Sequence, residues 1–171
     1  MSDLSMVDSM ATYSGSHRIL VNDFLNSLHE SKRFDLACLI DKKLANAFAI
    51  HVANKVESYV RQSIEAEVSH VNENLGVRMT YEDFLEQDEL YLEFLRKYES
   101  LRYLLDKLFV DELENFSLVK ECFLESLPEL LSSGFLDAPH EVSDVFLLGD
   151  ESHDGNKNVA LFMFKDALLL P

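Results

Sequence analysis

Apolar side chains recur along this chain at spacings of three and four, with few interruptions. After Gly15 neither glycine nor proline occurs until Gly76, and after Gly76 neither occurs until Pro128. Both residues disfavour helix interiors, so two such stretches predict long helices. In the first, Ile19, Leu20, Phe24, Leu25 and Leu28 share one face of a helix over residues 17–30. Ser31 is placed to cap a second helix with its side-chain oxygen, and that helix would run from about Lys32 to about Asn72. Its stripe is Leu36, Leu39, Ile40, Leu44, Ala47, Ile50, Val56, Val60, Ile64, Val68 and Val71. Some forty helical residues would span about 60 Å, longer than a small domain needs. A bend, or a free end used for dimerisation, is therefore expected. Gly76 supplies a left-handed C-cap.

The second stretch opens with Thr80 and Asp83, a capping box with Asp in place of Glu. An aromatic-rich helix is expected from Thr80 to about Val110, carrying Phe84, Leu85, Tyr91, Leu92, Phe94, Leu95, Tyr98, Leu101, Leu105 and Leu108. The periodicity falters between Val110 and Ser117 and resumes over Leu118–Leu124, which predicts a break. Ser126 to Glu129 reads as a cap with Pro128 in the first turn of a short helix, ended by Gly134. Beyond Pro139, residues 145–148 and 159–164 are short apolar runs around a polar linker. Their Phe and Val content and the turn-rich linker favour a β-hairpin, with a helical pair as the alternative. The fold class is thus mainly α: a bundle of four to six helices with a short irregular or β-hairpin C-terminal element. Residues 1–16 read as a flexible tail, and residues 17–171 as a single domain.

Composition adds a charge asymmetry. The 171 residues carry a net charge of −16. Residues 1–80 hold 10 acidic and 8 basic side chains, whereas residues 81–171 hold 21 and 7. A surface of that sign repels phosphate backbones and anionic lipid, so direct nucleic-acid or membrane binding is not expected. It suits a basic protein partner, the alternative being solubility alone. No run approaches a membrane span, and the N-terminus lacks the basic start and apolar run of a signal peptide, so a cytoplasmic location is expected. Cys38 and Cys122 lie in apolar periodic segments and read as reduced core residues.

Candidate chemistry is sparse. Counting Asp150 as the first position of a calcium loop puts Ser152, Asp154, Gly155, Asn156 and Asn158 where ligands and the sharp turn belong. Lys157 then fills an aliphatic position and Leu161 the place of the bidentate Glu, so the stretch reads as a solvated turn. The six histidines form no His-x-x-x-His pair, and neither Cys-x-x-Cys, a phosphate loop nor a nucleophile elbow occurs. No catalytic, cofactor-binding or metal-ligating residue is assigned. Tyr91, Tyr98 and Phe84 belong to the buried stripe, whereas Tyr81 and Tyr103 fall off it. An exposed aromatic framed by carboxylates is a protein-binding anchor. Tyr103 with Glu86, Asp88, Glu89, Glu93 and Glu99 is therefore the candidate partner site, incidental packing of Tyr103 being the alternative.

Within residues 44–68, LANAFAIHVANKVESYVRQSIEAEV, an apolar run is followed by Glu57, an aromatic and Arg61. This segment resembles the second helix of HEPN domains, helical bundles that often dimerise and occur in toxin–antitoxin and phage-defence systems. Active members carry Arg-x(4–6)-His as their ribonuclease centre. Neither Arg96 nor Arg102 has a histidine at that spacing, so the resemblance implies a catalytically silent relative. Two functions are in view. One is a non-enzymatic, acidic regulatory protein, expected as a homodimer, that binds a basic protein partner without a cofactor. One form of it is a phage- or mobile-element-encoded inhibitor presenting carboxylates where a nucleic-acid-binding protein expects phosphates. The alternative is a silent HEPN-like protein associated with RNA or nucleotides.

Overall fold

The computed structural model describes residues 12–31, 34, 35, 38–136, 142–153 and 157–164, with the backbone alone for 149–153, 157 and 158. Five helices and one hairpin follow in order: α1 (Arg18–Glu30), α2 (Leu39–Leu75), α3 (Tyr81–Glu86), α4 (Asp88–Lys97), α5 (Glu99–Ser132), β1 (Val142–His153) and β2 (Lys157–Phe164). The mainly α bundle with a C-terminal hairpin is the architecture that the periodicity predicts. Among the described residues no helix is long and apolar enough to cross a membrane. Residues 1–11 of the expected tail lie outside the described residues.

Helix α2 is the axis of the molecule, and its two halves are built differently. Between Leu44 and Val56 it buries Leu44, Ala45, Ala47, Phe48, Ala49, His51, Val52, Ala53 and Val56, which is most of its circumference. The alanines let α1, α5 and β1 approach closely, and Phe48 meets Phe116 of α5 edge to face at 5.4 Å. Beyond Val56 only Val60, Ile64 and Val68 are buried, one residue per turn on one side. That side is covered by α3 and α4, whose Phe84, Tyr91, Phe94 and Leu95 are buried. That cover comes from the same chain.

The capping box forms as expected. Thr80 accepts from Asp83 N–H at 3.1 Å, and Asp83 accepts from Thr80 N–H at 2.9 Å. Gly76 ends α2 at φ 64°. Four expectations are corrected. Ser31 does not cap α2: its hydroxyl donates to Leu28 O at 2.6 Å and so closes α1. Asp41 organises the link instead, its carboxylate accepting the Asp35 N–H at 2.7 Å. The single helix over 80–110 is three, interrupted at Gln87 and Tyr98, where ψ is 91° and 75°. These bends fold the aromatic face back over α2. No break occurs between Val110 and Ser117; α5 passes straight through, with Glu112 and Asn115 buried on its inner face. Polar residues inside the apolar stripe hid its continuity. Helix α5 also runs through Pro128, so no separate short helix forms, and Gly134 at φ 74° follows its end. A proline this near the C-terminus costs one backbone bond in a helix of 34 residues.

The antiparallel hairpin pairs Val145 with Phe162, Phe146 with Leu161, Leu147 with Ala160 and Leu148 with Val159. Val142 and Val145 are buried, and Phe162 stacks on Phe123 of α5 at 4.3 Å. The inner face thus lies across α2 and α5. Phe146, Leu148, Val159, Leu161 and Met163 point the other way and are exposed. The proposed turn loop falls here: its backbone is strand over Gly149–His153, and residues 154–156 lie outside the described residues. Truncating Phe48 to Ala should cost about 3–5 kcal/mol, the range for a buried aromatic that leaves a cavity. Urea denaturation checks this, with the m-value unchanged.

Candidate functional site

Two buried polar clusters hold the bundle together. In the first, His17 adopts a left-handed backbone, φ 60°, at the start of α1. Its Nε2 donates to Glu57 at 2.6 Å, and its Nδ1 accepts from the Tyr91 hydroxyl at 2.9 Å. Tyr81 also donates to Glu57, and Arg61 pairs with the other carboxylate oxygen. Three helices meet at one carboxylate, and α4 joins them through the Tyr91 bond to His17. Burial lowers the His17 pKa, and Glu57 opposes that shift without cancelling it. Burial would raise Glu57, yet the bonds from Tyr81 and His17 and the Arg61 charge hold it below the ordinary carboxylate range. Burial raises the Tyr81 and Tyr91 hydroxyls. The His17 side chain is fully shielded from solvent, and the cluster clamps these helices together.

The second cluster joins α2 to α5. Lys55 donates to Glu112 at 2.6 Å, and His51 Nε2 stands 3.7 Å from the same carboxylate, an electrostatic contact and not a hydrogen bond. Glu112 is fully buried; burial would raise its pKa, but His51 and Lys55 outweigh it and hold it low. Lys120 likewise turns inward to Asp41 at 2.6 Å. On the far half of α2, Lys97 pairs with Glu67 at 2.7 Å. Arg18 pairs with Asp88 across the α1–α4 gap. Among the described residues no group of three or more His, Cys, Asp or Glu is placed to hold a metal.

The candidate partner site from sequence is exposed, on α3, α4 and the start of α5. Tyr103 stands out at 70% exposure. Glu99 lies one turn before it on α5, and Glu89 and Glu93 are one turn apart on α4. Asp88 is engaged by Arg18, and Glu86 gives its carbonyl to the same guanidinium at 3.1 Å. Tyr81, which sequence placed off the buried stripe, packs against the core because its hydroxyl reaches Glu57. Cys38 and Cys122 are free thiols, but Cys122 is exposed, so only Cys38 is partly buried against the core.

What sequence reasoning missed lies further along α5. From Leu108 to Ser132 this helix carries Asp111, Glu112, Glu114, Glu121, Glu125 and Glu129 against a single cation, Lys120. Glu112 and Lys120 both have partners within the fold. Among the described residues no ion pair reaches Glu114, Glu121, Glu125 or Glu129, all of them exposed. Beside this face runs an apolar groove of about 390 Å³ between α5 and β2, lined by Leu118, Cys122, Phe123, Leu130, Phe162 and Phe164, among others. Glu121, Glu125 and Glu129, all exposed, each stand one position before a lining residue, Cys122, Ser126 and Leu130, on the helix that forms one wall of the groove. The signal was available: 114, 121 and 125 recur at seven and four, opposite the buried stripe. No protein-family model, curated protein or solved structure matches this chain.

The clamps predict the pH dependence. His17, whose pKa is lowered on folding, gives stability that is present above the ordinary imidazole pKa of about 6.5 and is lost as pH falls below it. Glu57 and Glu112, also lowered, give stability present above their unfolded pKa values and lost as pH falls through the folded ones. Stability should therefore decline in two limbs on acidification. Urea unfolding between pH 8 and pH 4 reads both; His17→Gln should flatten the upper limb and, by removing one of the partners that hold Glu57 low, make the lower limb shallower as well.

Proposed function

We propose that the chain is a non-enzymatic interaction protein that receives a basic protein partner on the outer face of α5. The observation that carries this reading is the division of charge. Lys55 and Lys120 are drawn into the interior, and Arg18, Arg61 and Lys97 are held in pairs between helices or along α2. The carboxylates at Glu114, Glu121, Glu125 and Glu129 are left without internal compensation. Carboxylates spaced one turn apart on a helix repel one another, so a fold has no mechanical use for them. A cationic partner relieves that repulsion and is steered toward the face from a distance. The apolar groove alongside supplies surface whose burial gives the complex its lifetime. The polar clusters give no support to catalysis, because their carboxylates are held by the fold's own cations and hydroxyls.

Capture from a native lysate, with ribonuclease present, should retain a basic protein that added salt releases, because an exposed charge interface is screened. Glu114→Lys/Glu121→Lys/Glu125→Lys should abolish that retention, whereas Glu89→Lys/Glu93→Lys should reduce it less than threefold. Retention that vanishes with ribonuclease, together with filter retention of RNA by the pure protein, would favour the RNA-associated alternative instead.

A further inference from the structure

We infer that the open edge of β2 accepts an extended basic segment of the partner as a third strand, laid in the groove beside α5. This rests on the acidic-face reading above and specifies how the partner is held.

The two edges of the hairpin are unequal. In an antiparallel pair, residues alternate between those that exchange backbone bonds and those whose N–H and C=O point outward. On β1 the Val145 N–H donates to the Asp144 carboxylate at 2.9 Å, and the Ser143 carbonyl accepts from Lys43. Ser143 stands at the irregularity in register between Val142 and Asp144, so Val145 sets the phase: Val145 and, by alternation, Leu147 face the outer edge of β1. Side chains already occupy that edge at two positions, a device that blunts strand addition. The cross-strand partners of Val145 and Leu147 are Phe162 and Ala160. These two then present their own N–H and C=O groups to the outer edge of β2. No hydrogen bond from the described residues meets them there.

The open edge and the groove are the same place. Ala160, Phe162 and Phe164 line the groove from one side, and Leu118, Cys122, Ser126 and Leu130 from the other. A helix laid in this space would leave the β2 edge groups unpaired. An extended segment pairs with them and puts alternate side chains onto α5. The wall from Leu118 to Leu130 is about 18 Å long, which matches five or six residues of strand. Charge selects the occupant: lysine or arginine on that segment is drawn to Glu121, Glu125 and Glu129, the exposed carboxylates of the helix that walls the groove. The occupant is thus a short stretch alternating β-branched apolar residues with basic ones.

The test uses the full chain, labelled with nitrogen-15, and a blocked octapeptide alternating valine and lysine at about 1 mM, where weak association registers. Amide protons of Ala160 and Phe162 should gain at least tenfold protection from exchange, with resonance shifts along Leu118–Leu130. Leu161, already bonded to β1, should change less than twofold. Ala160→Pro removes one outward N–H without touching the ladder and should abolish the protection. Glu121→Lys/Glu125→Lys/Glu129→Lys should weaken binding at least tenfold in a chain whose spectrum stays folded. Shifts along the outer face of α5 without protection of Ala160 and Phe162 would overturn strand addition and leave the acidic-partner reading standing, whereas shifts confined to α3 and α4 would overturn both. The absence of any shift would overturn both. Protection of Ala160 and Phe162 before peptide is added would mean a second copy fills the edge, and would also overturn the proposal.

Discussion

Everything in this fold follows from the need to keep the apolar side of a single 37-residue helix out of water. At about 1.5 Å per residue α2 is about 55 Å long, more than one antiparallel neighbour of ordinary length covers. Its first half, apolar nearly all round, is enclosed by α1, α5 and the hairpin. Its second half exposes one apolar line, Val60, Ile64 and Val68, and receives the short α3–α4 pair. The bends at Gln87 and Tyr98 exist for that purpose: they return the chain to the far end of α2 and release it as α5. The left-handed His17 and the shared Glu57 carboxylate fasten the junction where α1, α2, α3 and α4 meet.

Buried charge governs the surface as well as the interior. An uncompensated carboxylate in a core is expensive, so Glu112, Asp41 and Glu57 each bring a cation or a hydroxyl donor with them. With 15 basic against 31 acidic side chains, each such internal pair is neutral and leaves the whole excess of negative charge to the remaining residues. The outcome is concentrated on α5, because Lys120 leaves that helix's outer face for Asp41. Beside it the hairpin keeps one edge stoppered and the other open. Interior electrostatics and exterior charge are here one allocation of the same residues.

Most of the architecture was legible, because glycine, proline and apolar spacing report local preference directly. The Thr80 box, the Gly76 cap and the C-terminal hairpin each follow from side chains that act on their own neighbours. The errors share one cause: tertiary partners outvoted local patterns. Glu112 and Asn115 looked like surface and so simulated a break, when Lys55, fifty-seven residues away, makes Glu112 a core residue. Gln87 and Tyr98 carry no breaker chemistry, and only the distant end of α2 explains the bends there. Ser31 had the right side chain for a cap but spends it on α1. For the candidate site, the acidic imbalance was visible and its location was not. Which carboxylates stay unpaired depends on where the lysines fold.

The central claim is that the α5 carboxylates are retained for a partner and not for the fold. The most direct measurement is the urea unfolding free energy of Glu114→Gln/Glu121→Gln/Glu125→Gln/Glu129→Gln against the parent chain at low ionic strength. Relief of the like-charge pairs Glu121/Glu125 and Glu125/Glu129 should make the variant more stable by about 0.5–1 kcal/mol. A variant less stable than the parent would show that the fold itself depends on these charges, and would contradict the account.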